Sequence, residues 1–79
     1  MRVKRRDLEA IARIRADLKT GTARRAREAA EVTQAEMAAA CEVTASAVSQ
    51  WEDGNRTPKT RNSLAHARAL ERVRVAPAA

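Results

Sequence analysis

Between Thr33 and Glu52 the chain reads TQAEMAAACEVTASAVSQWE, and few backbone paths can accommodate that order. Thr33 followed three residues later by Glu36 is a capping-box pattern. The hydroxyl takes the Glu36 amide and the carboxylate reaches back to the Thr33 amide, which fixes a helix start at Thr33. Met37 and Cys41 then lie one turn apart with Ala38 between them, and Val48 and Trp51 lie three apart in a second segment, so each segment presents one apolar face. The pattern breaks at Cys41-Glu42-Val43, and Thr44 is placed as a second N-cap. Two short helices joined by a turn of about three residues must share one core.

The rest of the chain is bounded by its size. Its 79 residues form one domain. The apolar fraction of 44% overstates the core, because 19 of those residues are Ala and only 15 are Val, Ile, Leu, Met or Trp. Close helix packing through Ala is required, and a homodimer interface would add burial that one chain lacks. Without strand-like alternation the fold is all-α, a compact bundle of about five helices. No apolar run approaches the ~20 residues of a membrane span and no signal peptide is visible, so a soluble, intracellular protein is expected. The single cysteine, Cys41, lies on the apolar stripe and reads as a small buried hydrophobe.

Charge is unevenly distributed. Residues 1–32 carry ten Lys or Arg against five acids, residues 33–52 none against three, and residues 53–79 six against two, within a net charge of +6. Flanking cations around a neutral polar centre suit sequence-specific DNA binding, where cations supply the phosphate attraction and polar side chains read base edges. The same pattern would also arise from Arg-rich faces that merely solvate helices.

Residues 1–6, MRVKRR, form a basic arm, either a terminus without fixed contacts or a segment tracking a minor groove or phosphate run. From Asp7 as N-cap, Leu8, Ile11, Ile14 and Leu18 follow helical spacing to Gly21, a C-cap; this predicts a helix over 7–20 packed on its own domain. Thr22 caps a helix over Ala23 to Ala30 with Ala23, Ala26 and Ala30 inward, and Arg24, Arg25 and Arg27 not sharing a face. Asp53 to Pro58 is a loop, with Gly54 suited to a left-handed backbone. A last helix from Thr60 presents Leu64, Ala67, Leu70 and Val73. The domain thus spans 7–75, with 76–79 a tail. His66 has no constellation of ligands around it, so neither a metal site nor a catalytic residue is expected, and no cofactor motif is present.

TQAEMA, then VTASAVSQWEDG, then NRTP, resembles the Cro/repressor-type family, the lambda repressor-like or XRE helix-turn-helix regulators of bacteria and phages. The resemblance covers roughly Thr22 to Leu70 and leaves the first helix as an addition. It implies glycine-like, left-handed backbone at Glu42 and often at Glu31, where the family tends to have glycine. It also implies a partly buried ion pair between Arg27 and Glu52, base readout by Ala45, Ser46 and Gln50 with Ser49 alongside, and a loop after Glu52 that sits against DNA. Gln34 and Thr44, at helix N-termini, are placed for phosphates, and Asn55, Arg56, Lys59 and Arg61 extend that line.

Two functional classes follow. One is a transcriptional regulator, Cro-like or a small repressor, reading a two-fold duplex DNA operator as a homodimer in the cytoplasm of a bacterial host. The other is an antitoxin-type protein that binds a partner through its N-terminal helix and autoregulates its promoter. No enzyme motif is present.

Overall fold

The computed structural model describes residues 3–75, and these form five helices: α1 (Arg5–Thr20), α2 (Thr22–Ala29), α3 (Gln34–Cys41), α4 (Ala45–Glu52) and α5 (Thr60–Val75). Among the described residues there is no strand, so the fold is all-α as expected. Met1 and Arg2 of the expected arm, and the expected tail at 76–79, lie outside the described residues.

α1 begins two residues earlier than the sequence predicts. Asp7 is not its N-cap but lies in the first turn, where its carboxylate accepts the Lys4 backbone N–H at 3.3 Å. An acid there also faces the positive end of the helix dipole, and Arg5 and Arg6 become helical. Ile11, Ile14 and Leu18 are buried, whereas Leu8, expected on the same stripe, is 59% exposed. At about 100° per residue Leu8 stands about 60° beyond Ile11, on the side away from Ile14, where the domain no longer reaches.

Gly21, at φ 85°, ends α1 and leads directly into α2. Thr22 is therefore the first residue of α2 rather than its cap, and its hydroxyl lies 2.9 Å from that of Thr20. Ala23 is buried and Ala26 half-buried, but Ala30 is exposed. The helix ends at Ala29 and the chain reverses at Glu31, φ 58°, which carries Ala30 outward.

α5 buries Ser63, Leu64, His66 and Leu70, with Ala67 and Val73 half-buried. The inward face thus runs through His66, which the expected stripe of Leu64, Ala67, Leu70 and Val73 did not contain. α1 packs on α5 and α2 and touches α4, while α3 packs on α4 and α5. Ile14, Leu18, Ala23, Met37, Ala38, Cys41, Val48, Trp51 and Leu70 make one core from all five helices. The α1 stripe from Ile11 to Leu18 is therefore covered by its own domain, and Leu8 is left outside it. No helix of the described residues is long and apolar enough to cross a membrane.

Candidate nucleic-acid interface

The start of α3 is fixed by reciprocal hydrogen bonds: the Thr33 N–H donates to Glu36 Oε1 at 2.9 Å, and the Glu36 N–H donates to Thr33 Oγ1 at 3.0 Å. Donation from the Thr33 backbone, then from its hydroxyl, holds the Glu36 carboxyl below its ordinary range. After Cys41 the chain turns at Glu42, φ 58° and ψ 43°, and Thr44 caps α4 by accepting the Ala47 N–H at 3.1 Å. Both positions where the resemblance implies glycine, Glu31 and Glu42, adopt the left-handed backbone with a glutamate side chain in place. Val48 and Trp51 face the core, so helical geometry turns Ala45 and Ser46 fully outward and leaves Ser49 and Gln50 half-buried beside them. Cys41 is buried, and burial pushes its thiol above the ordinary value.

Beneath α4 lies a buried polar network. Arg27 Nε donates to Glu52 Oε2 at 2.7 Å and Arg27 Nη2 to Glu52 Oε1 at 2.9 Å, a two-pronged match of fork to carboxylate. Arg27 Nη1 also donates to the Val32 carbonyl at 2.8 Å, and Gln34 Nε2 to Glu52 Oε1 at 3.0 Å. Burial pushes the Glu52 carboxyl up, but the bonds from Arg27 and Gln34 outweigh it and the net position is below the ordinary value. The Gln34 amide nitrogen is thus directed inward, with one further N–H to offer elsewhere. His66 sits against Trp51, ring centroids 5.6 Å apart, with its Nδ1 buried and without a hydrogen-bond partner among the described residues. Burial lowers its pKa, and Glu52 only partly opposes that.

The loop after α4 folds back on the helix end. The Asn55 and Arg56 N–H groups donate to the Gln50 carbonyl at 2.9 and 3.3 Å, and Gly54 takes φ 79°. Asn55, Arg56, Lys59 and Arg61 are all exposed, continuing from the end of α4 to the start of α5. Thr44 is exposed at the opposite end of α4. Arg24 is half exposed and approaches Glu28 at 3.5 Å and Asp53 at 4.0 Å on the surface.

This arrangement of a reciprocally capped helix, a tight left-handed turn and a second helix with an outward polar face coincides with a match to known sequences: a family model described as a helix-turn-helix domain covers residues 21–77. The chain belongs to the helix-turn-helix domain family. Membership points to a DNA-binding regulator, and α4 is the second helix of the two that flank the turn. No match to a curated protein or to a solved structure reaches significance. All of α1 lies before the matched region, which begins at its C-cap, Gly21.

Sequence reasoning did not find Gln34 as a partner of Glu52, His66 as a core residue, or Arg15, whose contacts are described below. Only His66 left a signal, since 63, 66, 70 and 73 follow helical spacing as well as the stripe that was read. Among the described residues no group of three or more His, Cys, Asp or Glu comes together to hold a metal ion.

Proposed function

We propose that this helix-turn-helix protein is a sequence-specific regulator that binds a two-fold operator in duplex DNA as a homodimer, in the manner of a Cro-like or small repressor. The observation that carries the reading is the state of α4: its core side is locked by Val48, Trp51 and the Arg27–Glu52 pair, while Ala45, Ser46, Ser49 and Gln50 form an outward face bearing no charge. A rigid neutral face is what base-edge readout in the major groove requires. Gln50 is assigned a bidentate contact to adenine, Ala45 a methyl contact, and Ser46 and Ser49 adaptable hydrogen bonds. Thr44, Asn55, Arg56, Lys59, Arg61 and the remaining N–H of Gln34 are assigned to phosphates. A cytoplasmic setting in a bacterial host accompanies this reading. The partner-binding alternative draws no support from α1, whose Ile11, Ile14 and Leu18 are engaged within the domain.

Selection of bound duplexes from a random library, followed by sizing of the selected complex, tests this. The expected result is a two-fold consensus bound by two chains. Enrichment of no sequence would refute specific readout, and a single chain on an asymmetric site would refute the dimer.

A further inference from the structure

The last turns of α1 face the loop that follows α4. Arg15 Nη2 donates to the Pro58 carbonyl at 3.0 Å, Arg15 Nε donates to Ser63 Oγ at 3.3 Å, and Ser63 Oγ donates to the same Pro58 carbonyl at 2.8 Å. Ser63 is 0% exposed, so this three-way junction is a built part of the fold. Through it, a helix that lies wholly outside the family region is tied to the loop beside α4. The junction forms one wall of a cleft whose floor is Leu18, Trp51 and Pro58 and whose rim carries Lys19 of α1 and Arg56 of the loop. Both rim cations are exposed, neither pairs with an acid among the described residues, and no Asp or Glu lines the cleft. In contrast, the groove between α1 and α5 mixes Glu9, Asp17 and Glu71 with its arginines.

We propose that the cleft between α1 and the Gly54–Pro58 loop binds a backbone phosphate of duplex DNA through Lys19 and Arg56, with Arg15 as the positioning residue that holds its two walls together. The proposal rests on the DNA-binding reading above and extends it to α1. A cleft bearing cations of one sign complements an anion, and Arg56 makes it continuous with the edge assigned to phosphates. Duplex DNA carries one negative charge per about 1.7 Å of axis, so an added cationic edge beside a docked recognition helix meets a phosphate without any distortion of sequence readout.

The test compares the parent with Lys19→Gln, Arg56→Gln and Ser63→Ala by measuring affinity for a selected and for a random duplex over a range of salt, alongside thermal midpoints. Loss of one phosphate contact lowers the slope of log K against log salt by about 0.9, roughly an eightfold loss of affinity at 0.1 M salt. Lys19→Gln is expected to show that loss equally on both duplexes with an unchanged thermal midpoint, because Lys19 is exposed. Ser63→Ala changes no charge, so a reduced slope in its folded form reads the positioning role of the junction. An unchanged slope in Lys19→Gln, while Arg56→Gln lowers it, overturns the cleft and leaves the DNA-binding reading standing; a parent that binds no duplex removes both. Saturable binding of inorganic phosphate that Lys19→Gln abolishes, with DNA binding unaltered, would mean that the cleft serves a free anion and would also overturn the proposal.

Discussion

Arg27 on α2 and Glu52 at the end of α4 form a bidentate pair, with bonds of 2.7 and 2.9 Å, in which both residues are more than nine-tenths buried. It joins α2, the first helix of the family region, to the end of α4 across 25 residues of sequence. The carboxylate lies where the helix dipole is unfavourable to it, so the cation and the Gln34 amide are what make it tolerable there.

Deleting either member leaves the other charge buried and alone. Arg27→Ala and Glu52→Ala are each expected to lower unfolding free energy by about 3 to 5 kcal/mol, with the double variant far less than additive. Arg27→Lys should recover only part of the loss, since an ammonium cannot match both oxygens. Denaturant unfolding of the four proteins measures the coupling, and simple additivity would show that the pair contributes nothing as a pair.

Stability should fall on acidification in two stages. His66 has its folded pKa below the ordinary 6.5, so the unfolded chain takes up the proton first, and stability present above pH 6.5 is lost as pH falls through and below it. Arg27 of α2 and Glu52 of α4 are the charged groups acting on it, with Trp51 of α4 against its ring. Glu52, with its folded pKa below the ordinary 4.5, adds a second loss as pH falls through that range. Thermal midpoints measured from about pH 7.5 down to about pH 2.5 should show both stages, and His66→Phe should flatten only the first.

Glu42 and Glu31 each hold φ 58°, in the left-handed region. A side chain there costs about 1 to 2 kcal/mol, partly offset by the greater freedom that glycine gives the unfolded chain. Glu42→Gly is therefore expected to stabilise by about 1 kcal/mol, raising the thermal midpoint by roughly 4 to 8 °C for a domain of this size. Calorimetry of Glu42→Gly and Glu31→Gly tests this, and a lowered midpoint in both would contradict the strain.

If Gln50 reads a base, Gln50→Ala should weaken binding to the selected operator by about 1 to 3 kcal/mol and leave random-duplex binding nearly intact. Competition binding with both duplexes is the measurement. Equal losses on the two would move Gln50 from readout to general contact.

Removing the Arg56 guanidinium should instead weaken both duplexes alike and lower the salt slope by about one unit. A changed base preference at an unchanged slope would contradict a phosphate contact there.

The amino-acid sequence alone determined the local events: the capping box at Thr33 and Glu36, the cap at Thr44, the loop at Gly54 and the single apolar side of α3 and α4. Each depends on residues within about one helical turn, where spacing maps directly onto geometry. The Arg27–Glu52 contact was legible only through resemblance, because no spacing rule connects residues so far apart. Tertiary structure alone decided that Leu8 falls outside the core, that His66 rather than Ala67 faces fully inward, that the Gln34 amide bonds Glu52, and that Arg15 reaches the Pro58 carbonyl. The physical reason is common to all four. A helix repeats every 3.6 residues and offers several overlapping faces, and which one is buried depends on where neighbouring helices cross it, a property of the assembled bundle rather than of any segment.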